Sequence, residues 1–322
     1  MDNAVKIVET AIPKTVVRKN SFSQRASEDF KKNKSLYFLM TPVILFYLIF
    51  CYKPMYGALI AFQNYNPGNG MLASEWVGFK HFIDFFSGYY FLRVLSNTVI
   101  ISLSGLVFGF PAPIILAFLM NELKNKYFCK TVQTITYLPH FISLVVICGM
   151  IKDFTADNGV INYIIRLFGG ETSTMLSRPE MFVPVYIISD IWQGIGWGSI
   201  IYLAALSGID PQLYEAARID GAGHFKQAIH ITLPGIIPTI VIMLILRIGN
   251  ILNVGFEKII LLYSPLTYKT ADVISTYVYR KGLGEYNWSF SAAVGLFNSV
   301  INFGLLLGAN YLSRKMSESS LW

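Results

Sequence analysis

Six apolar stretches constrain this chain more than any other feature: residues 36–62, 94–120, 131–150, 181–206, 236–263 and 289–312. A helix needs about 20 apolar residues to span the hydrocarbon of a bilayer, so each run is long enough to cross it. With 54% hydrophobic and only 14% charged residues among 322, little is left over for a soluble domain. The expectation is an all-α integral membrane protein with six transmembrane helices. A basic tail covers 1–35, the six-helix domain 36–315, and a short tail 316–322.

The formal charge of +7 does not point to nucleic acid, because the basic residues flank apolar runs instead of forming one patch. They do set an orientation. If the first residues lie inside, the tail, the 121–130 loop, the 208–235 loop and the last residues share the inner side. Those segments carry 15 Lys and Arg, against 10 in the three outer segments, which has the sign of the positive-inside rule. More than half of the inner count comes from the tail. The loop between the first two runs is rich in rings, including Trp76, Phe79, Phe85 and Tyr90, which suit the headgroup zone.

The longest inner loop, 208–235, is the most patterned stretch of the chain. Asp210 is a good N-cap, Pro211 fits the first helical position, and Gly221 can adopt the left-handed stop. A short helix is therefore expected from Pro211 to just before Gly221. Glu215 can reach water, and Ala216 and Ala217 let another backbone approach. A second short helix is expected over 224–229, ended by Pro234. An ordinary connection between two spans could also look like this.

Polar side chains recur within the apolar runs, where they are costly and face a cavity or a neighbouring helix. Arg247, Asn250, Asn253 and Glu257 would share one face of a continuous fifth helix. Tyr186, Asp190, Gln193 and Trp197 would do so on the fourth, and Asn298 and Asn302 stand on the sixth. Each could simply bond to a neighbouring helix, and Arg247 could pair with Asp190 or Glu257. As a set they suit a water-accessible path for a solute with many hydroxyls and ring faces to stack on, such as a sugar. Peptides or amino acids would suit the same side chains.

No catalytic or metal-binding pattern accompanies these stripes. Cys51, Cys129 and Cys148 lack metal-type spacing, and Cys51 and Cys148 read as small apolar fillers. His140, His224 and His230 are scattered. The chain has no Gly-rich Lys-Ser/Thr loop for nucleotide phosphates and no Gly-x-Ser-x-Gly or His-Glu-x-x-His arrangement. An enzyme is not expected, and any ATP hydrolysis would fall to another subunit.

The spacing Glu215-Ala216-Ala217, three residues, Gly221, nine residues, then Ile231-x-Leu233-Pro234 resembles the EAA loop of binding-protein-dependent ABC importer permeases. Other patches resemble the carbohydrate branch of that family, of the polysaccharide/oligosaccharide type. They include Tyr52-Lys53-Pro54-Met55-Tyr56-Gly57, Tyr137-Leu138-Pro139-His140-Phe141-Ile142-Ser143 and Gly255-Phe256-Glu257-Lys258-Ile259. The resemblance implies a type I importer permease fold with a cytoplasmic coupling helix, in a bacterial cytoplasmic membrane. It implies a second, similar permease, two ATPase subunits that hold ATP and Mg, an extracytoplasmic sugar-binding protein, and alternating access. The coupling role falls on Glu215, Ala216, Ala217, Gly221, Ala222 and Gly223. The stripe residues match no family motif. Competing readings are an ion-coupled secondary transporter, an importer permease for a non-sugar solute, and a membrane-embedded enzyme.

Overall fold

The computed structural model describes residues 29–316. Most of the expected tail, and the tail beyond Met316, lie outside the described residues. The chain divides into two units, one ending at Gly57 and one starting at Ala58. The first is essentially one apolar helix, α1, part of a helical stretch over Lys34–Phe62. Its side chains from Leu36 to Met55 are exposed all round.

The second unit is built from α2 (Lys80–Phe86), α3 (Phe91–Asn121), α4 (Lys126–Phe141), α5 (Leu144–Thr155), α6 (Val160–Leu167), α7 (Pro179–Ser207), α8 (Pro211–Ile219), α9 (His224–Gly249), α10 (Phe256–Leu262), α11 (Ile274–Tyr279) and α12 (Trp288–Met316). By length and composition, four helices among the described residues can cross a membrane, and a fifth if the bent pair α4 and α5–α6 counts as one span. α7 is 29 residues long, but Asp190 and Gln193 in its middle make it less apolar.

Two expected runs do not form single straight helices. The 131–150 run breaks after Phe141, and the chain turns by 103° before resuming at Leu144. Ser143 starts the new helix by accepting a hydrogen bond from the Val146 N–H at 3.4 Å, so the apolar run contains its own N-cap. The 236–263 run also ends early. α9 stops at Gly249, residues 250–255 are irregular, and α10 starts a new helical phase at Phe256.

Pro234 does not end a helix, as the sequence had suggested. α9 runs through it from His224, because the turn before it widens to a π turn over Ala228–Thr232. A proline ring strikes the carbonyl four residues earlier, here that of His230, and the widened turn moves that carbonyl aside. The same device precedes Pro111, after the π turn Gly105–Gly109, and Pro54, after Tyr47–Tyr52. Three prolines are thus absorbed without a break.

Packing centres on α7, which lies against the second half of α3, against α4 and against α9, while α9 also runs along α12. Gly196 permits the crossing with α4, since a Cβ there would run into the Thr136 carbonyl. One apolar cluster gathers Ile101, Ile147, Cys148, Phe182, Tyr186, Ile187 and Ile259; another gathers Ala117, Tyr202, Leu206 and Ile236. Cys148 is fully packed, as a small apolar filler would be.

The 264–288 segment is pinned by a fully buried acid, Asp272. Its carboxylate receives Arg280 at 3.1 and 2.7 Å, Arg93 at 3.2 Å and the Thr276 hydroxyl at 2.9 Å. Burial works against the Arg280 charge, but the hydrogen bonds and charge of Asp272 outweigh it and hold its pKa above the ordinary arginine value.

Candidate functional site

The irregular residues 250–255 open a polar cavity of about 210 Å³ inside an otherwise apolar body. Unwound backbone at membrane depth persists only where its groups find partners or face a cavity. Here the Ile251 carbonyl accepts from the Ser102 hydroxyl, and the Leu252 N–H donates to Asn302 Oδ1 at 3.1 Å. Tyr186 and Asp190 of α7, Arg247 of α9, and Asn250 and Asn253 of the break line the cavity. A second cavity of about 380 Å³ shares Asp190, Arg247 and Asn250 and continues toward Tyr202 and Met243. The two meet at those three polar residues, beyond which the second is lined mainly by apolar side chains.

The structure therefore brings five of the ten stripe residues together: Tyr186, Asp190, Arg247, Asn250 and Asn253. Asn298 joins through its amide, donating to Asn253 Oδ1 at 2.9 Å. Asn302 is buried and bonds to the backbone of the break instead. Gln193 lines neither cavity. Trp197 turns to α4, where its ring stacks on His140 with centroids 4.5 Å apart. Glu257 is exposed and lines neither cavity, because α10 does not continue the phase of α9. The shared face expected for Arg247, Asn250, Asn253 and Glu257 assumed an unbroken helix, which the structure does not have.

The same change of phase turns Lys258 inward, a residue of the 236–263 run to which the sequence reading gave no role. Lys258 is 4% exposed, and its Nζ lies 3.4 Å from Asp190 Oδ1 and 5.3 Å from the centre of the Tyr186 ring. Asp190 thus pairs with Lys258, not with Arg247. Among the described residues no carboxylate comes within 4.0 Å of the Arg247 guanidinium.

The patterned loop forms the second site. α8 begins as expected, with Asp210 Oδ1 accepting from the Gln212 N–H at 2.9 Å and Pro211 in the first turn. It ends in a Schellman arrangement: Gly221 has φ +76°, its N–H reaches the Arg218 carbonyl at 3.1 Å, and the Ala222 N–H reaches the Ala217 carbonyl at 2.8 Å. Caps at both ends keep a nine-residue helix rigid where propensity alone would not. Glu215 and Ala216 are exposed, Ala217 and Ala222 half-buried, and Gly221 and Gly223 exposed.

Two contacts tie α8 and its surroundings to the long helices. The Tyr214 hydroxyl is 3.0 Å from Thr232 Oγ1 on α9. Glu122, just past α3, pairs with His224 at the start of α9 at 3.0 Å, a contact nothing in the sequence had suggested. A shallow polar pocket of about 290 Å³ lies beside them, lined in part by Glu215, Arg218 and His224. Leu213, Ile219 and Phe225 of the same loop are exposed apolar side chains, such as protein interfaces use.

Residues 109–318 match the family described as "Binding-protein-dependent transport system inner membrane component". The chain is 45% identical over 293 residues to Protein LplB of Bacillus subtilis (strain 168), covering 91% of this chain and 92% of that protein. It is 44% identical over 292 residues to the polygalacturonan/rhamnogalacturonan transport system permease protein YteP of the same organism, covering 90% and 91%. A chain in the crystal structure of a bacterial alginate ABC transporter, in complex with an alginate pentasaccharide-bound periplasmic protein, superposes with a TM-score of 0.86 at 44% identity, covering 92% of this chain and 100% of that one. The chain is an integral membrane protein of the binding-protein-dependent transport system inner membrane component family, with the permease fold of ABC importers.

Proposed function

We propose that this chain is the translocating subunit of an ATP-driven importer that moves oligosaccharides or polysaccharide fragments across a bacterial cytoplasmic membrane. It crosses the membrane six times, with both termini and α8 on the inner side. A second, similar permease completes the path, and two ATPase subunits supply ATP and Mg. An extracytoplasmic binding protein delivers the sugar.

The observation that carries this reading is the course of α9. It starts beside α8, which Tyr214 ties to Thr232, and after 26 residues it ends at Arg247 and the break that line the polar cavity. A helix of that length is about 39 Å long. It joins the surface where an ATPase would grip α8 to the place where a solute would pass. A pull on α8 would then reach the cavity as a shift of α9, and alternating access needs such a link. Support for a sugar comes from the amides and ring of the cavity, and from relatives whose names refer to alginate and to polygalacturonan/rhamnogalacturonan.

The test is uptake by the complete transporter in proteoliposomes, with the binding protein outside and ATP within. The reading expects accumulation of labelled oligosaccharide that depends on ATP and on the binding protein. Accumulation driven by an ion gradient, with no ATPase subunit present, contradicts it.

A further inference from the structure

The charges around the cavity do not cancel. Among the described residues, Asp190 and Arg247 are the only charged side chains that line either cavity, and they line both. Asp190 is already matched by Lys258 at 3.4 Å, and Glu257 points elsewhere. That leaves one cation, Arg247, with no acid partner among the described residues. Its guanidinium lies beside α3 in space that Gly105 leaves open: a Cβ there would sit 3.2 Å from Nη2. Arg247 stands in the last turn of α9, where the helix dipole contributes roughly half a negative charge. Arg247 is exposed on the cavity wall, and that half charge offsets its own only in part.

We propose that Arg247 selects for carboxylate-bearing sugars, so that the cavity favours uronic-acid saccharides over neutral ones of the same size. This rests on the importer reading above. Because the Arg247 guanidinium is exposed on the cavity lining and no acid of the described residues pairs with it, a passing anion can reach it and take that place. Arginine is the side chain suited to this task, because its planar fork meets a carboxylate through two parallel hydrogen bonds. The amides of Asn250 and Asn253 can serve the hydroxyls on the same ring, as both donors and acceptors.

The experiment uses trigalacturonate and the neutral trisaccharide made from it by reducing its carboxyl groups. Affinity for each is measured on the assembled transporter, permeases and ATPases together, without the binding protein, so that any preference belongs to the membrane subunits. The wild type should bind the acidic sugar more tightly by a factor on the order of ten, the size expected of one charge-assisted contact. Arg247→Gln should bring that ratio close to one, and Arg247→Lys, which keeps the charge but not the fork, should fall between. A wild-type ratio near one overturns the proposal whatever the variants do. So does an Arg247→Gln transporter that assembles and keeps the wild-type ratio. Uptake by the complete system separates this from the broader reading: normal uptake of both sugars with no preference in binding removes only the role of Arg247. Uptake of neither removes both readings.

Discussion

The Tyr214 hydroxyl and Thr232 Oγ1 meet at 3.0 Å, and this is the side-chain hydrogen bond that joins α8 to α9. Thr232 is buried and sits at the end of the π turn that carries α9 past Pro234. Under the proposed coupling, a pull on α8 would enter α9 at a turn that is already wider than an α-helix.

Tyr214→Phe removes that bond and keeps the ring. The loss of one such bond is worth about 0.5–1.5 kcal/mol, or a few-fold in an equilibrium. The variant should assemble and hydrolyse ATP, but import fewer sugar molecules per ATP, by a few-fold. The ratio of uptake to phosphate release in proteoliposomes checks this. An unchanged ratio would mean that the bond carries no coupling.

Gly221 is held at φ +76°, a conformation that costs a residue with a side chain roughly 1–2 kcal/mol. Gly221→Asp should loosen the end of α8 and strongly reduce uptake while the protein remains inserted. Glu215→Lys, on the exposed face, should do the same without unfolding α8. Membrane levels by immunoblot, set beside uptake, separate the two effects. Normal transport in both variants contradicts the coupling role.

Asp190→Asn leaves the Lys258 ammonium buried without its partner. Breaking a buried pair from one side costs about 3–5 kcal/mol, less here because Asp190 is 44% exposed. The purified transporter should melt at a lower temperature, and adding Lys258→Met to Asp190→Asn should restore most of the loss. A melting temperature unaffected by Asp190→Asn, or two losses that simply add, would show that the pair is not coupled.

Local chemistry was the most legible part of the sequence. Asp210, Pro211 and Gly221 act through neighbours within a few residues, so the bounds of α8 could be read directly. The apolar runs located the helices but not their breaks. At Ser143 the run stays apolar on both sides, and only the extended backbone of Ile142 turns that serine into a cap. No proline marks the break after Gly249, and carrying one helical phase across it set Glu257 on the face of Arg247 and gave Lys258 no part. The structure reverses both, since phase is lost once a helix stops. Trp197 shared a face with Asp190 on paper, but where α4 crosses α7 is settled by packing at Gly196, between residues far apart in the chain.

The central claim is that α8 faces the cell interior and is gripped by an ATPase. One cysteine tests it: Glu215→Cys, in a chain whose Cys51, Cys129 and Cys148 have been replaced. The account predicts that position 215 crosslinks to the ATPase subunit, and that in intact cells it reacts only with a membrane-permeant thiol reagent. Labelling by an impermeant reagent from outside the cell, with no crosslink to the ATPase, would contradict it.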